Sequence, residues 1–349
     1  MNVNDLFKEL QEKFPTRAPG SLGVTAVIQE LERQTSTWSL SSKTEKVTVF
    51  PFQTAVGVFG VGSLMAILIG LWYPLWGVFL TGLLLITLLL EFALPILARF
   101  KTSRTENFSL TIPARSKETQ RVFLIMNLST DDFIAAPKFL NSEIYLLTLF
   151  GLGVTSFLLE LVNLLLPLRI FTVLATVPIL ILLLLAVLPR KENAANSSLN
   201  NCAAVLELGS ILTKAKPSTT TVTIFASGSR SLNSGVLGLL KQLKTGPQLT
   251  YVVNLVDLAD KRINVITDEG AILSQPNDPL LVELLMEVSR EKSIPVQTIK
   301  IKEFTAVLPL KLKQIRTVSV ANPLLDATEL SADKNVKELL IGLIRKLDH

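Results

Sequence analysis

The sequence predicts an α/β domain, a mostly parallel sheet flanked by helices, interrupted by two transmembrane helical hairpins that make four spans. Three observations carry this expectation. The polar stretches alternate between strand and helix patterns. Four apolar runs of about 20 residues or more interrupt that alternation, the length needed to cross a hydrocarbon core of about 30 Å. Apolar residues make up 49% of the chain and charged residues 18%, and the mean hydropathy is +0.46, too apolar for an ordinary soluble protein.

The chain begins with "MNVNDLFKELQEKF", an amphipathic stretch with charge where a signal peptide would have an apolar segment. "EKVTVFPF", "NFSLTIPA" and "RVFLIMNL" read as strands from their β-branched and alternating residues. "CAAVLELGSILTKA" carries apolar residues at helical spacing, and "TTVTIFA" is a strand. "GVLGLLKQLK" reads as a helix, "LTYVVNLV" as a strand and "DPLLVELLMEVSREK" as a helix. Two short strands, "VQTIKI" and "TVSVAN", precede a last helix, "SADKNVKELLIGLIRKL", with Ser331 as its N-cap.

The apolar runs are Thr54–Trp72, Leu75–Ala98, Ile144–Leu166 and Ile170–Leu188, paired across "YP" and "PLR". They divide the chain into a first part of the α/β domain (1–52), hairpin one (53–99), two strands of the domain (100–141), hairpin two (142–189) and the main part of the domain (190–349). Two hairpins return the chain to its starting side. Lys43, Lys46, Arg99, Lys101, Arg104, Lys138, Arg190 and Lys191 flank the runs on that side, whereas the opposite turns carry only Arg169. The positive-inside bias then places the α/β domain in the cytoplasm of a multi-pass membrane protein.

Glu91, Glu160 and Asn163 fall inside these runs, where polar groups snorkel, join helices or handle ions. Gly57, Gly60, Gly62 and Gly70 in the first run permit close helix approach. The net charge of +5 and the absence of a long basic run exclude a nucleic-acid partner. A single cysteine, Cys202, excludes an internal disulfide. The single histidine, His349, stands at the end of the chain, which removes histidine-based nucleophilic catalysis and histidine metal sites from consideration.

The order of the polar pieces resembles the di-zinc aminopeptidase and carboxypeptidase family, whose relatives include leucyl aminopeptidases, glutamate carboxypeptidase and the non-catalytic transferrin receptor and nicastrin. "FPTRAPGSLGVTAVIQELE" looks like the family's "R-x-P-G-S" helix start through Arg17, Pro19, Gly20 and Ser21. "NFSLTIPARSKETQRVFLIMNLST" looks like the strand pair that leads to its first metal motif. "NSSLNNCAAVLELGSIL" looks like its "D-N-A-S-G-V-A-A-L-L-E-L" helix, and "TIFASGSRSLNSG" like its strand ending in "G-G-E-E".

The resemblance implies two zinc ions held by histidines and carboxylates, with a glutamate as general base on a bridging water. Carried over position by position, the His-x-Asp motif falls on Asn127, Leu128 and Ser129. The bridging aspartate falls on Ser197 and its asparagine on Ser198, and the Glu-Glu pair falls on Ser229 and Arg230. The later aspartate falls on Val256, beside Asp257, and the final histidine on Val307. A one-residue shift could recruit Asp257 or Asp131 but restores no histidine and no glutamate pair. A guanidinium at Arg230 would stand where a cation belongs.

The expectation is therefore a degenerate, membrane-inserted relative without zinc or any other cofactor, a non-enzyme that serves as structural or accessory subunit of a membrane complex. Its expected partners are the lipid bilayer and a membrane protein. A second reading keeps the former cleft as a receptor, with Arg230, Ser229, Ser197 and Asn127 binding a peptide or a small anion. A third is a membrane enzyme that relies on Glu91 or Glu160.

Overall fold

The computed structural model describes residues 3–14, 17, 20–49, 52–93, 103–129, 142–165, 199–228, 239, 243, 249–258, 262–269, 274–301, 307–323 and 331–348, with side chains of its apolar helices described over 58–72, 74–87, 151, 153–162 and 164–165. The chain divides into two compact units. One comprises Met1–Val49, Ser103–Asp131 and Asn193–His349; the other comprises Phe50–Thr102 and Asp132–Glu192.

The first unit is built on one sheet. Helices α1 (Val3–Lys13) and α2 (Leu22–Thr35) lead to strand β1 (Ser41–Val49), and β2 (Ser103–Ile112) and β3 (Gln120–Asn127) follow the first insertion. Helix α6 (Asn200–Lys214), β4 (Thr220–Ser227), β5 (Leu249–Leu258), β6 (Ile263–Glu269) and β7 (Gln275–Pro276) come next. Helix α7 (Pro279–Lys292), β8 (Val296–Ile301), the one-turn helix α8 (Leu308–Lys311), β9 (Arg316–Pro323) and α9 (Ser331–Leu347) complete it. The strand order is β1-β2-β4-β3-β5-β9-β6-β7, with β8 paired to β6.

Local chemistry accounts for these boundaries. Ser21 opens α2 by accepting a hydrogen bond from the Val24 N–H at 3.4 Å, and Val24, Val27, Ile28 and Leu31 then recur on one buried face. Asp278 caps α7 by accepting from the Leu281 N–H at 3.2 Å; Pro279 takes the first helical position, where no N–H is needed. Ser293 ends that helix in a left-handed conformation, φ 54°. Along α9, Val336, Leu339, Leu340, Leu343 and Ile344 form one buried stripe.

The three central parallel strands are buried on both faces, so their side chains alternate between two cores. Val122, Leu124 and Met126 of β3, Val222 and Ile224 of β4 and Val253 of β5 pack among α1, α2, α6, α7 and α9. Phe123, Ile125, Phe225 and Val252 point to the other face, where Leu239, Val307 and Leu310 cover them.

Two expectations need correction. The sheet is mixed rather than mostly parallel: β3–β4, β3–β5, β5–β9 and β6–β8 are parallel, whereas β1–β2, β2–β4, β6–β7 and β6–β9 are antiparallel. Alternating strand and helix patterns fix which segments enter the sheet, but not the direction in which a strand reached through an insertion is laid down.

The second correction concerns the membrane. Among the described residues, no helix is long and apolar enough to cross a membrane. The four spans are therefore withdrawn, together with the integral multi-pass localisation and the cytoplasmic placement that followed from it. The enzyme reading based on intramembrane glutamates falls with them. The second unit consists of helices α3 (Phe52–Trp72), α4 (Pro74–Ala93) and α5 (Ser142–Leu165). These helices approach one another closely at their glycines, while Val61, Met65, Leu83 and Ile86 among others stay exposed. A Cβ on Gly62 would meet Leu84 at 3.2 Å, one on Gly77 would meet the Gly70 Cα at 2.6 Å, and one on Gly82 would meet Phe157 at 3.2 Å. The run Ile170–Leu188 lies outside the described residues.

Asp348, just past α9, ties that helix to the start of β4. Its carboxylate accepts from the backbone N–H groups of Ser218, Thr219 and Thr220 at 2.6, 2.7 and 2.9 Å. Burial pushes this carboxyl up, but the backbone donors together outweigh burial and hold it below its ordinary range. A folded-state pKa below the unfolded value stabilises the fold above the ordinary carboxylate range, and that stabilisation is lost as pH falls through the folded pKa. Asp348→Asn should lower Tm by a few degrees at about pH 7, with the difference from wild type shrinking as pH falls below about 4 and the wild-type carboxylate takes up its proton. Thermal unfolding across that range measures it; a gap that stays constant with pH would rule out the carboxylate clamp.

Candidate functional site

The ends of β2, β3 and β4 meet at one corner. β3 and β4 run parallel with Asn127 opposite Ser227, and the Leu128 N–H extends the pairing by donating to the Ser227 carbonyl at 2.8 Å. Gly228, the residue after β4, turns against the start of β2. Its N–H donates to the buried Asn107 side chain at 3.0 Å, and its carbonyl accepts from the Thr105 hydroxyl at 3.0 Å. The same hydroxyl accepts from the Gly20 N–H at 3.1 Å. Any side chain at 228 is excluded, because a Cβ there would lie 2.1 Å from the Glu106 carbonyl oxygen.

Arg17 closes the corner from the N-terminal segment. It is fully buried; its Nε donates to the Leu128 carbonyl and its Nη1 to the Phe14 carbonyl, both at 2.9 Å. The "R-x-P-G-S" segment therefore reaches this corner twice, through Arg17 and through Gly20. A guanidinium is suited to this, since its fixed fork can satisfy several buried carbonyls that leave their strands at different angles.

The residues predicted to mark the former metal site are distributed as follows. Asn127 and Ser129 are at the end of β3 and bond each other: the Asn127 Nδ2 donates to the Ser129 carbonyl at 2.9 Å, and the Ser129 hydroxyl donates to the Asn127 Oδ1 at 3.2 Å. Val256, near the end of β5, packs with Ile266 and Ala321, and Val307 is fully buried in the second core with Phe123, Ile125 and Val252. Asp257 pairs with Asn322 through its backbone in the β5–β9 ladder, and its side chain lies outside the described part. Ser197, Ser198, Ser229, Arg230 and Asp131 lie outside the described residues. The four-residue receptor cleft is thus represented only by Asn127.

Among the polar residues of the apolar runs, Glu160 is buried, its carboxylate set in a notch of the second unit left by Gly70 and Gly77. The Glu91 and Asn163 side chains lie outside the described part.

The resemblance implies zinc, so the donors at this corner decide whether it fits. Asn127 has its amide engaged with Ser129, and an alkyl side chain at Val256 or Val307 offers no lone pair. Among the described residues, no group of three or more His, Cys, Asp or Glu could hold a metal ion. The described positions do not fit a co-catalytic zinc pair.

One polar constellation was not visible in the sequence. Lys311 on α8 forms an ion pair with Glu269 at 2.7 Å, and both side chains are almost completely buried. The Ser319 hydroxyl donates to the Glu269 Oε2 at 2.9 Å, and the Asn254 Nδ2 donates to the Ser319 Oγ at 3.2 Å. Lys311 also donates to the Gln275 carbonyl at 3.1 Å. Burial pulls the Lys311 ammonium below its ordinary value, and Glu269 partly restores it. The chain crosses β5, β9 and β6, so no local pattern reveals it; the only hint is a lysine within the apolar "LPLKL".

No protein-family model matches the chain, and no curated protein matches it in sequence. Solved structures do match its fold. The Acidobacteriales bacterium glutaminyl cyclase aligns with 99% of this chain and 93% of its own, at 10% identity and a TM-score of 0.55. The Fimbriiglobus ruber glutaminyl cyclase aligns with 99% and 94%, at 12% identity and a TM-score of 0.55. BSAP, a zinc aminopeptidase from Bacillus subtilis, aligns with 99% and 94%, at 8% identity and a TM-score of 0.54. At such identities the likeness concerns the fold alone: a mixed α/β sheet with helices, as in zinc aminopeptidases and glutaminyl cyclases.

Two stability predictions follow from this geometry. Gly228→Ala should cost about 1–3 kcal/mol by driving a methyl group into the β2 backbone, measured by denaturant unfolding. Lys311→Met should cost about 3–5 kcal/mol because Glu269 is left buried and charged, whereas Lys311→Met with Glu269→Leu should recover most of that loss. Equal losses in the single and double variants would show that the ion pair is not the source.

Proposed function

We propose that this chain is a non-catalytic relative of the aminopeptidase-like fold that acts by binding, as a structural or accessory subunit of a larger assembly. The observation that carries the reading is the state of the β3 corner. Asn127 and Ser129, the positions that fall on the His-x-Asp motif, are neutral and hydrogen-bonded to each other. A metal peptidase needs the reverse there, ligands with lone pairs directed at a cation and a base able to take a proton from its bound water. Val256 and Val307 are further apart from that requirement, since both are part of apolar packing.

Non-enzymatic use is also consistent with how the corner holds its shape. Arg17, Thr105 and Asn107 satisfy the backbone at the strand ends, so the fold needs no ion at this place to complete its hydrogen bonding. Such a scaffold can be kept for its surface while its chemistry is dispensed with.

Purified full-length protein, dialysed against zinc, tests the reading. The expected results are substoichiometric zinc by elemental analysis, no cleavage of aminoacyl anilides, no cyclisation of N-terminal glutamine, and recovery of a stoichiometric protein partner by gentle affinity purification from the native source. Stoichiometric zinc together with turnover of either substrate would sink the proposal.

A further inference from the structure

We propose that the turn joining α3 and α4 docks onto a lipid surface, seating its aromatic side chains in the interfacial layer of one leaflet without crossing the bilayer. The inference is independent of the binding role argued above and rests on the second unit alone. At the turn, Trp72 is 75% exposed, Tyr73 65%, Leu75 68%, and Trp76 and Phe79 57% each. Trp76 and Phe79 pack edge to face, with centroids 5.9 Å apart, so the exposed rings form an ordered cluster. The turn itself is held by the helix backbone: the Tyr73 N–H donates to the Ile69 carbonyl at 2.8 Å, and the Gly77 N–H donates to the Tyr73 carbonyl at 3.1 Å. An apolar cluster of this size on a well-formed turn marks a surface that is covered in use.

The chemistry of the surface selects lipid over protein. From Val47 to Leu90 the sequence contains no Asp, Glu, Lys, Arg or His. A specific protein interface carries roughly one hydrogen bond per 100–200 Å² and a polar rim. At the turn the side chains with a hydrogen-bonding group are those of Trp72, Tyr73 and Trp76, each a single polar atom on an apolar ring. That combination suits the boundary between headgroups and acyl chains, where Trp and Tyr are enriched. With no Asp, Glu, Lys, Arg or His between Val47 and Leu90, the contact depends on the rings and not on headgroup charge. No described helix is long and apolar enough to cross a membrane, so the contact is with one surface, as for interfacial segments.

The full chain is mixed with vesicles of phosphatidylcholine, alone or with phosphatidylserine, and partition is read by flotation. Wild type should float with both to a similar extent, and acyl-brominated lipid should quench its tryptophan fluorescence. Leu75→Ser/Trp76→Ser/Phe79→Ser should reduce partition tenfold or more with an unchanged Tm, because the replaced side chains are exposed; Trp72 remains as the reporter. Wild type that stays in the aqueous fraction with both vesicles overturns the proposal, as does a variant that partitions like wild type. Self-association without vesicle binding, abolished by the same substitutions, overturns it in favour of a contact between copies of the chain. Should the triple variant lose stability, Trp76→Ser alone gives the same comparison, and equal partition of that variant and wild type counts against the proposal.

Discussion

The first unit depends on fixing β4 at both of its ends. All eight residues of Thr220–Ser227 are buried, so no peptide group of this strand can be left to water. β2 supplies an antiparallel ladder on one edge and β3 a parallel one on the other. Beyond the ladders, the Asp348 carboxylate takes the N–H groups that lead into the strand, and Asn107 and Thr105 take up the N–H and carbonyl of Gly228 where it leaves. These partners lie more than a hundred residues away in sequence, which makes β4 the place where the separated parts of the chain are joined.

Fixing the strand this way separates the shape of the corner from its chemistry. Charged and polar groups at strand ends of α/β folds commonly serve a ligand, whereas here they serve the backbone. Arg17 is directed into the protein, onto the Leu128 and Phe14 carbonyls, and Asn127 and Ser129 are directed onto each other. A buried hydrogen bond left unmade costs more than a made one contributes. Arg17, Thr105 and Asn107 therefore carry a folding constraint of their own. The same logic governs Lys311 and Glu269: the pair is costly to bury, and once buried neither member can be removed alone.

Much of this architecture was legible because it depends on local periodicity. The β-branched and apolar content of "RVFLIMNL" and "TTVTIFA" anticipates strands, and the near-continuous apolar run of the first fits a strand buried on both faces. The segment around Arg17 could be singled out by resemblance, but its task could not, since the Leu128 carbonyl is 111 residues away. Strand direction was misjudged for the same reason: β2 lies antiparallel to β4 across a separation that no local pattern spans. The apolar runs misled differently. Hydropathy reports that a segment avoids water and is silent on whether lipid or another helix replaces it; the glycines at 62, 70, 77 and 82 were the better clue to mutual packing.

How a sheet accommodates an apolar insertion is answered by its register. Val49, the last residue of β1, lies opposite Ser103, the first residue of β2, and the nine-residue ladder continues unbroken to Ser41 opposite Thr111. The chain thus leaves and re-enters the sheet at paired neighbours, as it would in an ordinary hairpin. Loop-closure entropy grows only as the logarithm of loop length, so replacing a short turn by a long segment between paired positions costs the sheet about 0.6 kcal/mol for each doubling. An insertion that folds on its own contacts costs less still, because its ends are already brought together. The first unit can therefore keep its strand order and its two cores while the inserted helices vary with whatever they contact. Properties of the inserted helices, including the aromatic turn at Tyr73 and Trp76, are free of the constraints that fix β4.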